Sequence, residues 1–115
     1  MTPEYFIEQI ANRVIVNNLK TYEKLLKNTD IDKATDINWK TVLNIYNSID
    51  DIEKTKFEGF IRQVMVDTLS SVFAVLDGVT WLKNQTDDFN LSHSGTKLNG
   101  ELQDIFLANE EIKKQ

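Results

Sequence analysis

The chain has 115 residues with thirteen Lys and Arg against eighteen Asp and Glu, one His and no Cys. That length suits one domain with a single core. The missing cysteine excludes disulfides, thiolate metal sites and a cysteine nucleophile. The net charge of -5 disfavours binding to phosphate backbones and anionic lipid. The hydrophobic share of 41% and charged share of 27% are those of a packed soluble fold.

The segment MTPEYFIEQI lacks a basic stretch leading into an apolar one, and no uninterrupted apolar run approaches a membrane span, so a cytoplasmic location is expected. The abundant Asn, Lys, Ile and Asp resemble the usage of AT-rich bacterial genomes. Thr2-Pro3-Glu4 is a helix start, with Thr2 as N-cap and Pro3 at the first helical position. A first helix is predicted from about Pro3 to Lys27, because Phe6, Ile7, Ile10, Ala11, Val14, Ile15, Leu19, Tyr22, Leu25 and Leu26 recur at helical spacing. The triplet Val14-Ile15-Val16 is a weak strand signal within that pattern.

Residues 28 to 38 are rich in Asn, Asp and Thr and read as a loop. Asp36 or Asn38 then caps a second helix of about twelve residues with Trp39, Val42, Leu43, Tyr46 and Ile49 on one face. After a bend at Ser48 to Asp51, a third helix is predicted over about 51–76. Phe57, Phe60, Ile61, Val64, Thr68, Val72 and Val75 make one apolar face, and Met65, Val66, Leu69, Phe73 and Leu76 make another. A helix apolar around most of its circumference belongs in the middle of a bundle.

The stretch SVFAVLDGVTWL ends this helix. Asp77-Gly78 could turn a hairpin with Val79 to Leu82 as its second strand, giving an α+β fold. Residues 72 to 76 are continuously apolar rather than alternating, which favours Gly78 as a left-handed helix cap. Residues 83–97 read as an irregular loop anchored by Phe89 and Leu91. Thr96 or Asn99 starts a last helix to about Lys113. The fold expected is a single all-α domain, a bundle of about four helices with the third as its buried centre.

Metal and nucleotide motifs are missing. His93 stands alone, the DID of residues 30–32 departs from a calcium loop at Ala34, Thr35 and Thr41, and the four glycines are isolated. Ser92-His93-Ser94 and Asp87-Asp88 read as polar loop, and no cofactor is expected. One pattern on the third helix stands apart. Gly59, Gln63, Asp67, Ser70, Ala74 and Asp77 follow at intervals of four, four, three, four and three, a polar or small-residue stripe. It reads as plain surface, as a packing seam, or as the floor of a groove with Asp67 and Asp77 as charged groups and Gln63 and Ser70 as hydrogen-bonding ones. Arg62 is placed to pair with Glu58 or to stack on Trp39 or Trp81, and either tryptophan, if exposed, is a partner anchor.

By elimination, binding is favoured over catalysis. The functional expectation is a small acidic protein-binding module, an immunity- or antitoxin-like inhibitor or regulatory adaptor of bacterial type with a basic protein partner, and with neither nucleic acid nor membrane as its target. The alternative is a small-molecule binder or minor enzyme with a pocket at Gln63, Asp67, Ser70 and Asp77. A homodimer burying the small-residue stripe is a third expectation.

Overall fold

Residues 1–114 are described by a computed structural model. The order is α1 (Pro3–Ala11), a π-helical turn (Asn12–Val16), α2 (Asn17–Asn28), a 3-10 turn (Ile31–Lys33), α3 (Ile37–Asn47), α4 (Asp51–Leu76), the two-residue strands β1 (Ser92–His93) and β2 (Thr96–Lys97), and α5 (Leu102–Lys114). The domain is all-α. α1, the π turn and α2 form one continuous rod, begun by the Thr2 hydroxyl accepting the Tyr5 amide at 3.1 Å.

The π turn falls on Asn12 to Val16, the segment with the strand-like triplet, and it has a physical reason. Ile7, Ala11, Ile15 and Leu19 recur at intervals of four, which drifts by about 40° per step around an α-helix of 3.6 residues per turn. One wide turn takes up part of that drift. Ile7, Ala11 and Ile15 are all buried as a result.

Asp36, rather than Asn38, caps α3, its Oδ1 accepting from the Asn38 and Trp39 amides. Asp50 caps α4 through the Glu53 amide at 2.8 Å, with Asp51 and Glu53 at the positive end of the helix dipole. α4 ends where the apolar run meets Asp77-Gly78. Gly78 has φ +80°, its amide donates to Val75 O at 3.2 Å, and the Val79 amide donates to Ala74 O at 2.9 Å. This 6→1 and 5→2 pair is a Schellman motif, so the hairpin alternative at this dipeptide is set aside. The chain does form a hairpin, but at Ser94-Gly95, where φ of +49° and +80° makes the tight turn between β1 and β2.

The last helix starts later than Thr96 or Asn99. Thr96 is committed to β2 and Asn99 to cross-links described below, and α5 begins at Leu102. The core joins α1, the π turn, α4 and α5 through Ile7, Ala11, Ile15, Val66, Phe73, Leu102 and Phe106, with Phe73 and Phe106 in an edge-to-face pair at 5.4 Å.

α4 runs between the two ends of the molecule, but it is not buried all round. Its Val66 and Phe73 face is sealed by α1 and α5, while Phe60 is 66%, Val64 48% and Val72 50% exposed on the opposite side. On that side α2 and α3 flank α4 without closing over it. Over its best 18 residues α4 reaches a mean hydropathy of 1.3 with only 22% of them buried, enough length and apolarity to cross a membrane by composition alone. The molecule is open in shape. Its radius of gyration is 17.7 Å and its extents are 50 × 37 × 24 Å, against about 13 Å for a compact domain of this length.

Candidate functional site

The polar stripe on α4 separates into two parts. Gln63 and Asp67 are exposed and bond to each other, the Gln63 amide donating to Asp67 Oδ1 at 2.9 Å. Ser70 is buried and accepts from the Gln103 side-chain amide at 3.1 Å. Asp77 is half-buried and reaches across to the start of α5, where Oδ1 accepts the Gly100 amide at 2.7 Å and Oδ2 accepts the Gln103 amide at 2.8 Å. A carboxylate at the negative end of α4 is thereby placed at the positive end of α5. Asp77 acts as the cap that α5 lacks in its own sequence. Of the stripe only Gly59 borders one of the depressions described below, and Gln63, Asp67, Ser70 and Asp77 line none of them.

Asn99, read in sequence as a possible start of the last helix, instead holds the long connection together. It is buried, its Nδ2 donates to Leu76 O at 2.5 Å and Phe89 O at 2.8 Å, and its Oδ1 accepts the Leu91 amide at 2.9 Å. Three backbone groups of the α4–α5 connection are satisfied by one side chain. Trp81 in this connection is 49% exposed and donates from Nε1 to Gly78 O at 3.2 Å, with the exposed Asp87 and Asp88 further along the same loop. It does not cover Asp77 in any bond of its own.

Arg62 pairs with neither Glu58 nor a tryptophan. Its guanidinium meets Glu110 of α5 at 2.9 Å, and Lys113 reaches the other oxygen at 3.3 Å. Glu110 is buried, and burial by itself pushes its carboxyl up. The hydrogen bonds and charges of Arg62 and Lys113 more than offset that and hold it below its ordinary value. A signal for this was present: Glu110 lies four residues after Phe106 and eight after Leu102, on the apolar face of α5.

At the other end of the molecule α3 leans on the N-terminal half of α4. Tyr46 is buried there, its hydroxyl donates to Glu58 Oε1 at 3.2 Å, its ring lies 6.1 Å from Phe57, and Lys54 sits 4.9 Å above it. Burial pushes the Tyr46 phenol up, and the Glu58 bond adds to the shift. Between α2, α3 and α4 an apolar groove of about 390 Å³ stays open, lined by Tyr22, Leu26, Trp39, Val42, Phe57, Phe60, Ile61, Val64 and Met65. Trp39 is half-buried in its wall with Tyr22 at 6.3 Å. A smaller depression of about 250 Å³ on the other side of Tyr22 and Leu26 adds Glu23, Glu58 and Arg62 at its edge. A third, of about 460 Å³ between α1 and α5, is bordered by Glu4, Glu8 and Glu110 together with Phe106 and Ile112.

The groove brings together aromatic and aliphatic side chains without a nucleophile, a base or a charged group on its wall. Such a surface is suited to burial against another apolar surface. Compared with protein-family models, curated proteins and solved structures, the chain matches none of them.

Proposed function

We propose that this chain is a protein-binding module whose open side, the α2–α3–α4 groove together with the outward face of α4, is completed by a helical surface from another chain. One observation carries the reading: an uncharged groove of about 390 Å³ runs on into a row of exposed Phe60, Val64 and Val72 on a helix whose far side is sealed. Amphipathic helices dock in such grooves through anchors spaced three and four residues apart. Trp39 and Phe60 are the aromatic anchors on this side.

Charge has a separate place in this reading. The groove wall is uncharged, so the acidic groups behind the net charge of -5 lie elsewhere, where they favour encounter with a basic protein bound apart from the chain that covers the groove. An inhibitor or regulatory adaptor of bacterial type is the role we assign on these grounds.

Photo-cross-linking tests it. A benzoyl-phenylalanine placed at Phe60 in cells that express the chain is expected to give discrete protein adducts. The same group at Lys20, exposed on α2, is expected to give none. Equal labelling at both positions, or no adduct at Phe60, overturns the reading.

A further inference from the structure

Resting on that reading, we infer that the outward face of α4 is covered by α4 of a second copy of this chain, packed antiparallel about a two-fold axis at the level of Val66. Two observations point to a copy. The first is area. The chain exposes 8179 Å², whereas a folded monomer of 13.3 kDa exposes about 6,450 Å². The excess of roughly 1,700 Å² per chain falls within what each partner of an obligate homodimer buries, about 1,000–2,500 Å².

The second observation is the pattern on the face itself. A two-fold interface places one surface patch against itself, so the patch must be self-complementary. Phe57 and Val75, Phe60 and Val72, Ile61 and Ser71, and Val64 and Thr68 are four pairs equidistant from residue 66. In the antiparallel arrangement each member lies level with its counterpart on the second copy. None of the eight is charged, and all are exposed or half-buried in the single chain.

The flank agrees with this register. Gln63 and Asp67 edge the row, and Gln63 of one copy comes near the level of Asp67 of the other. The Gln63–Asp67 bond now made within one helix can therefore be exchanged between two. The two Asp67 carboxylates stay at the solvated rim, where like charges interact weakly. The C-terminal half of α4 from the second copy, with its Val72 and Val75, lies beside Phe57 and Phe60 and closes the α4 side of the groove.

The full chain at micromolar concentration tests this by light scattering after gel filtration. The expected mass is twice 13.3 kDa. Val64→Lys and Thr68→Glu each place an unpaired charge at the centre of the interface. Each is expected to weaken dimerisation by about 100-fold or more while leaving helix content intact, since both positions are exposed in the single chain. Mixing the two variants sets Lys against Glu across the axis and is expected to restore the dimer; rescue on mixing also fixes the register.

A wild-type monomer overturns the inference, as does a dimer indifferent to Val64→Lys, or a failure of the mixed variants to pair. A monomer that binds phosphatidylcholine vesicles overturns it too and assigns the face to lipid. Adducts at Phe60 with other proteins, combined with a wild-type monomer, overturn the inference alone. Absence of any Phe60 adduct overturns the reading on which it rests.

Discussion

The two ends of the molecule are built from the same residue types, yet they are finished differently. At the α1–α4–α5 end three helices enclose Ile7, Phe73, Leu102 and Phe106, and the polar groups that enter are each paired: Asp77 with two amides, Asn99 with three backbone groups, Glu110 with Arg62 and Lys113. At the α2–α3 end, two layers leave Trp39, Phe57 and Phe60 around an open groove. Both ends carry apolar faces, and what differs is coverage. Three helices meet at each end, but only α1, α4 and α5 close on one another, while α2 and α3 leave a groove against α4.

The largest way to break the comparison is a truncation at the sealed end. Phe106→Ala, at a residue with no exposed surface, should destabilise by about 3–5 kcal/mol. Phe60→Ala at the open end should change monomer stability by about 0.5 kcal/mol or less. Urea titration of both variants in the monomeric Val64→Lys background checks the contrast, and equal losses there would show that the open end is covered within one chain.

Asn99→Leu comes next. It leaves the Leu91 amide and the Leu76 and Phe89 carbonyls without their partner, and a loss of about 3 kcal/mol is expected. Faster hydrogen exchange over 79–99 than over α5 in the variant would place the effect in the connection.

Removing Arg62 should matter somewhat less. Arg62→Leu leaves Glu110 buried with Lys113 as its remaining cation, for an expected loss of about 2–3 kcal/mol. The pH dependence has a defined sign. Glu110 is held below its ordinary value of 4.5 in the folded chain, so its stabilisation is present above pH 4.5 and is lost as pH falls through the folded value. Acid unfolding of Glu110→Gln should have a shallower pH slope below 4.5 than the wild type, and an unchanged slope would refute the assignment.

Tyr46→Phe is the smallest of the changes that remove a hydrogen bond, at about 1 kcal/mol for one bond to a carboxylate that solvent reaches. Its readout is local. Amide exchange in α3 should accelerate while α1 and α5 keep their protection, because Tyr46, with the fully buried Leu43, is one of two buried residues that hold α3 in place.

Most element boundaries were legible because they rest on local chemistry. Thr2 and Asp36 cap where a short side chain precedes a periodic run, and Gly78 ends α4 because a left-handed residue was needed there. The start of α5 was misplaced because its cap, Asp77, comes from another helix. Likewise Arg62 looked local, with Glu58 one turn back, and its partner proved to be on α5. Among the candidate site residues, Trp39 lies in the groove wall, Trp81 on the exposed loop, and Gln63, Asp67, Ser70 and Asp77 divide between surface and structural bonds.

By itself the sequence determined the all-α class, the span of α4 and the fact that this helix is apolar on two opposite sides, since each follows from spacing along one chain. Which of those sides is sealed was decided by tertiary structure alone. That outcome depends on where α1 and α5 pack and on how far α3 can reach, and distances between helices are not encoded in the periodicity of any one of them. SVFAVLDG thus fixed a helix end in sequence, while the use of Asp77 as the start of another helix appeared only when α5 was brought against it.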